Sequence, residues 1–177
     1  MIDINKISPG EKCPEIINVL IEIPKGSSNK YELDKETGLL FLDRPLYSSV
    51  HYPGDYGLIP QTHWDDGDPL DVLVITSTPV YPLTLAEVRV IGVLRMIDSG
   101  EKDDKIIGVY NSEPRFKEVK DIKDIPKHTI KEIINFFETY KELQGKKCEI
   151  TEVKGRETAY KDVERGIKAY KKKIEKE

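Results

Sequence analysis

From residue 16 to residue 110 the chain is a succession of short apolar, β-branched runs cut by Gly, Pro and acidic turns, and helical periodicity appears only in the final third. About eight short strands with few helices predict a small closed or nearly closed barrel with helices packed on it, α+β in class and mainly β. Residues 16–23 read as the first strand, with Ile17, Val19, Ile21 and Ile23 on one face and Asn18, Leu20 and Glu22 on the other. Residues 30–33 and 39–42 read as a hairpin around Asp34–Gly38. Strands follow at 71–76, 86–97, 105–110 and 148–153, and Gly92 inside the longest predicts a bulge or bend. Residues 51–60 read as a loop stiffened by Pro53 and Pro60; its Tyr52 and Tyr56 either present hydroxyls to a ligand or plug a barrel end.

Two helices are expected. One spans 124–143, with Asp124 as N-cap, Pro126 in the first turn and an apolar stripe of Ile130, Ile133, Ile134 and Phe137. The other is capped by Thr158 and buries Ala159, Val163, Ile167, Tyr170 and Ile174, leaving a solvated face of Lys and Glu. With 177 residues and no repeats, residues 1–177 read as one domain. A net charge of −4 argues against a surface that binds nucleic acid by bulk charge. Cys13 and Cys148 have no CxxC spacing and read as free thiols of a reducing compartment. The N-terminus has no signal-peptide pattern, and no apolar run nears the ~20 residues of a membrane helix. A cytoplasmic protein is expected.

The chemistry concentrates in Asp66-Gly67-Asp68-Pro69-Leu70-Asp71. Gly67 lets the backbone bend and Pro69 fixes φ, so three carboxylates sit on a stiff turn that feeds a strand. Held within about 5 Å, each pair repels by roughly 3 kcal/mol at an effective dielectric near 20. A cation offsets that repulsion, and oxygen-only ligands favour Mg²⁺ over Zn²⁺. Read by spacing alone, the same turn is equally compatible with a solvated acidic corner. A second acidic loop runs from Asp98 to Lys105, and two such loops at strand ends converge if the barrel closes.

These residues resemble the soluble family I inorganic pyrophosphatases of prokaryotic type. The resemblance lies in Asp66–Val72 and in Ile21-Glu22-Ile23-Pro24, Lys30-Tyr31-Glu32 and Phe41-Leu42-Asp43-Arg44. It extends through Tyr52–Gly57, Asp98–Lys105 and Phe136–Lys141, and so over essentially the whole chain. It implies a five-stranded OB-like barrel with flanking helices, assembled as a homohexamer. It implies hydrolysis of inorganic pyrophosphate, taken as its Mg complex, by a metal-activated water. Several Mg²⁺ ions per site are implied, with Mn²⁺ or Zn²⁺ as substitutes. By the resemblance Asp66, Asp71 and Asp103 bind the first metal, and Asp71 helps to hold the second. Asp98 and Asp103 hold a metal that arrives with the substrate, Glu32 reaches a fourth, and Glu22 lines the cavity. Lys30, Arg44, Tyr56, Lys105, Tyr140 and Lys141 grip the phosphates, and Asp68 is the general base. Two other readings compete with this one. An OB-like module could stack single-stranded nucleic acid on Tyr52 and Tyr56. A Mg²⁺-dependent nucleotide phosphohydrolase is the other, with no evident base pocket to favour it.

Overall fold

The computed structural model describes residues 3–176. In chain order the strands are β1 (Ile16–Ile23), β2 (Asn29–Leu33), β3 (Leu40–Pro45), β4 (Asp55–Leu58), β5 (Asp71–Ile75), β6 (Leu85–Asp98), β7 (Glu101–Lys102), β8 (Lys105–Tyr110) and β9 (Cys148–Gly155). The helices are α1 (Lys127–Thr139), before β9, and α2 (Arg156–Ile174), after it. β1 pairs with β4, β4 with β5, β5 with β8, β8 with β6, and β6 returns to β1. Five strands thus close a barrel, as expected, and only the β5–β8 pair is parallel. The β2–β3 hairpin stands apart as a two-stranded sheet.

β6 makes closure possible because it is long enough to serve two neighbours in succession. Its first half pairs with β1 and its second half with β9, while β8 spans the middle. The bend falls at the expected place, where the β6–β8 register slips between Val90 and Gly92. A Cβ at Gly92 would lie 2.7 Å from the Lys154 carbonyl oxygen and 2.8 Å from Ile122 Cβ, so no larger residue fits there.

Strand alternation supplies the two main cores. In β5, Val72 and Val74 join Ile17, Val19 and Ile21 of β1 and Ala159 and Val163 of α2. Leu73 and Ile75 join Ile133, Phe136 and Phe137 of α1. A buried polar tie supports the barrel: Asp55, fully enclosed, accepts the Lys25 N–H at 2.7 Å, the Val80 N–H at 3.2 Å and the Tyr110 hydroxyl at 2.6 Å. Tyr110→Phe is expected to cost about 2 kcal/mol through the lost charged hydrogen bond. Thermal melts should fall by about 4–8 °C while activity is kept.

Several boundaries differ from the sequence reading. Residues 55–58, expected as loop, form β4 between β1 and β5. α1 starts at Lys127, with Pro126 at its N-cap. Asp124 instead belongs to a 3₁₀ turn, where it forms a capping box with Asp121. α2 starts at Arg156, so Thr158 lies inside it and does not cap it. Ile174, expected in the buried stripe, is 50% exposed, and Phe136, absent from the expected stripe, is buried.

Candidate active site

Because β5 and β8 run parallel and in register, Asp71 lies beside Lys105, and the loops preceding both strands arrive at one barrel edge. The two acidic loops are those loops. They meet at a cavity of about 510 Å³ that is walled on its other side by the β2–β3 hairpin and by the end of α1. Lys105 sits at the junction with its side chain only 2% exposed. Its ammonium donates to Asp71 Oδ2 at 2.6 Å and to Asp103 Oδ1. Burial works to lower its pKa, but the two carboxylates together outweigh burial and raise it, so Lys105 stays charged.

The acidic turn is held by its own backbone. The Gly67 N–H donates to the Trp64 carbonyl at 3.0 Å, the Trp64 N–H to the Asp68 carbonyl at 2.8 Å, and the Asp68 N–H to Asp66 Oδ1 at 3.0 Å. Gly67 takes φ +92°, a conformation that favours glycine. Tyr56, on β4, donates its hydroxyl to Asp71 Oδ2 at 2.6 Å. α1 places the aromatic wall: Phe136 packs 4.7 Å from the Tyr52 ring, and Tyr140 lies 5.2 Å from Phe136 and 5.9 Å from Phe137. Burial pushes the phenols of Tyr56 and Tyr140 well above their ordinary pKa, so both remain hydroxyl donors. Tyr52 and Tyr56 are 2% and 7% exposed, which leaves neither ring free to stack on a base.

Comparison with known proteins gives this arrangement a family. A sequence model of the inorganic pyrophosphatases matches residues 19–171. The chain belongs to the inorganic pyrophosphatase family. It is 53% identical over 156 residues to the inorganic pyrophosphatase of Geobacillus stearothermophilus, covering 88% of this chain and 94% of that one. It is 46% identical to soluble inorganic pyrophosphatase 2 of Chlamydomonas reinhardtii, over 93% and 85% of the two chains. The crystal structure of the Thermus thermophilus inorganic pyrophosphatase superposes with a TM-score of 0.93 at 43% identity, over 96% of this chain and 99% of the other. The five-stranded barrel with flanking helices is the fold of these pyrophosphatases.

Most residues singled out by the family resemblance line the cavity: Glu22, Glu32, Asp66, Asp68, Asp71 and Asp103 among the acids, and Lys30, Tyr56, Lys105, Tyr140 and Lys141 among the donors. Two stand off it. Asp98 reaches it only through Lys141, whose ammonium it accepts. Burial tends to raise the Asp98 pKa, but the hydrogen bond and charge of Lys141 prevail and hold it low. Arg44 lies across from Lys30 in the β2–β3 pairing and its side chain turns to Asp43. Its Nε is buried with no hydrogen-bond partner among the described residues, a donor left open for an anion. Sequence reasoning missed Lys35 at the hairpin tip, which donates to Asp68 Oδ1 at 2.9 Å, and Asp43, which lies 3.4 Å from Lys30. The hairpin pairing places Asp43 beside Lys30, whereas only a hairpin folded back over the acidic turn reveals the Lys35–Asp68 pair.

The donor set fits divalent cations. Eight carboxylates line the cavity against four lysines, and every acidic donor is oxygen. Burial, with neighbouring acids adding to it, raises Asp66 to about 6, Glu22 to about 8, and Asp103 in the same direction. The negative charge therefore exceeds what the lysines compensate. Among the described residues no three acidic, His or Cys side chains already enclose an ion; the Lys105 ammonium stands between Asp71 and Asp103.

Glu22 gives this imbalance a measurable sign. It is buried, accepts the Leu33 N–H at 2.7 Å, and has its pKa lifted from 4.5 to about 8. Between those values the folded protein must hold a proton that the unfolded chain has released. Stability therefore falls as pH rises, by up to ~1.4 kcal/mol per unit. In EDTA the melting temperature should drop by about 3 °C per pH unit from 6 to 8. Glu22→Gln, which keeps an acceptor for Leu33, should flatten that slope. An unchanged slope in the variant would remove Glu22 as its source.

Proposed function

We propose that residues 1–177 form one catalytic domain that hydrolyses inorganic pyrophosphate to two phosphates, with Asp68 as general base. The chain is an inorganic diphosphatase. The observation that carries the site assignment is the meeting of both acidic loops at Lys105, because it joins a carboxylate-rich wall to cationic and phenolic donors in one cavity.

Pyrophosphate has no carbon and no apolar handle, so its site must be built of charge and hydrogen bonds. Asp66, Asp71, Asp98 and Asp103, with Glu32 and Glu22 beside them, are proposed to hold several Mg²⁺ ions, with Mn²⁺ or Zn²⁺ as substitutes. Bound there, the metals neutralise phosphate charge and lower the pKa of a coordinated water toward neutral. Asp68 takes a proton from the attacking water as its oxygen bonds to phosphorus and the bridging P–O bond breaks. Asp68 suits that role because its side chain is 69% exposed and, among the described residues, has one partner, Lys35. Lys30, Lys105 and Lys141 balance the phosphate charges. Arg44 can hold two phosphate oxygens at once, and Tyr56 and Tyr140 donate hydrogen bonds without adding charge. Catalysis of this kind is positioning and electrostatic stabilisation.

The assembly is proposed to be a homohexamer. Leu39, Phe41, Leu42 and Tyr47, on and beside the hairpin, are exposed and give a further copy an apolar surface to cover. Among the described residues no helix is long and apolar enough to cross a membrane, and a cytoplasmic location is proposed. The test is phosphate release from pyrophosphate and from ATP, each with Mg²⁺ and with EDTA. Rapid Mg²⁺-dependent release from pyrophosphate, with little from ATP, is expected. Release from ATP at a comparable rate would support a nucleotide phosphohydrolase instead.

A further inference from the structure

Behind the site, on the opposite side of the second acidic loop, lies a group of charges that the reaction does not use. Residues 103 and 104 fall between β7 and β8, outside the regular ladder, and are tied to β6 by one backbone hydrogen bond and by the Asp104 side chain. Successive residues of an extended segment face opposite ways. Asp103 lines the catalytic cavity, and Asp104 points into a second cavity of about 380 Å³.

There Asp104 is buried and closes a clamp on β6. The Asp103 N–H donates to the Met96 carbonyl at 3.0 Å, and Asp104 Oδ1 accepts the Met96 N–H at 3.1 Å. The other Asp104 oxygen accepts from Arg95 Nη1 at 2.7 Å. Arg95 Nη2 lies 2.8 Å from Asp162 Oδ2 of α2, and among the described residues that buried oxygen has no aligned hydrogen bond. The β6–β9 register slips between Arg95 and Met96, so a bulge aims the Arg95 side chain at this cluster. A planar guanidinium held by two carboxylates is a far stiffer link than an exposed pair, and it ties α2 to the loop that carries Asp103 and Lys105.

We propose that Asp104, clamped by the Met96 N–H and by Arg95, is a positioning residue that sets Asp103 and Lys105 for cation binding. The proposal rests on the reading of Asp103 as a metal ligand. Asp104 touches neither substrate nor reacting atoms and acts through its neighbour. Residues that orient a ligand from behind typically change metal affinity about 10–100-fold when lost.

Mg²⁺ affinity of the resting protein, measured by isothermal titration calorimetry without pyrophosphate, tests this. Asp104→Ala should weaken Mg²⁺ binding about 10-fold. Asp162→Ala removes the same charge from the same cluster but leaves Asp104 on Met96 and Arg95, so it should weaken binding much less. Tyr110→Phe, which lowers stability from elsewhere in the barrel, should leave Mg²⁺ affinity unchanged. Should Asp104→Ala not fold, Asp104→Asn, which keeps an acceptor for Met96 and loses the charged contact to Arg95, should still weaken Mg²⁺ binding more than Asp162→Ala. Equal losses in the Asp104 and Asp162 variants would reduce the effect to long-range charge and overturn the proposal, as would wild-type affinity in the Asp104 variant. A wild-type protein that binds no Mg²⁺ would overturn the metal reading itself, and this proposal with it.

Discussion

Asp68→Asn should fold like the wild type, bind Mg²⁺ with largely unchanged affinity, and lose about 10³-fold in kcat. The three expectations have separate grounds. Asp68 makes no buried contact through its side chain, and its one ion pair, with Lys35, joins two groups 69% and 50% exposed. Such pairs contribute about 0–1 kcal/mol, so folding does not depend on it. The turn is held by the backbone hydrogen bonds among Trp64, Gly67 and Asp68 and by Asp66 Oδ1, all of which the amide leaves in place. Asn matches the shape of Asp68 but cannot accept a proton at neutral pH, so the loss should fall on kcat. Steady-state kinetics beside calorimetric Mg²⁺ titration separates the roles. If affinity fell in step with kcat, Asp68 would be a metal ligand and the proton acceptor would have to be sought elsewhere.

The sequence carried what local chemistry writes down. β1, β5, β6 and β8 were legible because β-branched runs alternate or stay apolar throughout, and the β6 bend was legible because only a glycine fits at residue 92. β4 was not, because Asp-Tyr-Gly-Leu has no strand pattern of its own; it is a strand because β1 and β5 flank it. Gly57 in that strand lies so close to β1 that an added Cβ would sit 2.1 Å from the Leu20 carbonyl oxygen. That glycine reads as a loop signal in sequence and as a close backbone approach in three dimensions. The start of α1 was misplaced because Asp124 has capping chemistry but uses it inside the 3₁₀ turn before Pro126, as the N3 partner of the Asp121 cap.

The same division runs through the site. Acids and lysines inside short motifs were found, since their spacing is local. Pairs that join distant segments left no signal: Lys35 with Asp68, Arg95 with Asp104 and Asp162, and Asp65 with Arg165. The face of α2 read as solvated Lys and Glu in fact carries Asp162 and Arg165, one turn apart, toward the back of both acidic loops. Arg165 also lies 4.3 Å over the ring of Trp64. Charge alone could not separate these two from their solvated neighbours.

Lys105→Met should damage stability as well as activity, and the stability loss should depend on metal. In the wild type one buried ammonium is the shared counter-charge of Asp71 and Asp103, and the Tyr56 hydroxyl donates to the same Asp71 oxygen. Methionine fills a similar volume but leaves two carboxylates without a counter-charge. Removing one member of a buried ion pair costs about 3–5 kcal/mol. For a chain of this length that corresponds to a melting temperature lower by about 6–20 °C in EDTA. A divalent cation can take over the compensation, since it would bind the carboxylates the lysine has vacated. Mg²⁺ should therefore raise the melting temperature of the variant more than that of the wild type. Activity should stay low even at saturating Mg²⁺, because the metal restores charge balance but not the donor to phosphate. Differential scanning calorimetry across a Mg²⁺ series reads the first effect, and kcat at saturating metal reads the second. Equal stabilisation of both proteins by Mg²⁺ would mean that the cation does not bind at Asp71 and Asp103. Full activity with the lysine gone would place Lys105 in the scaffold alone.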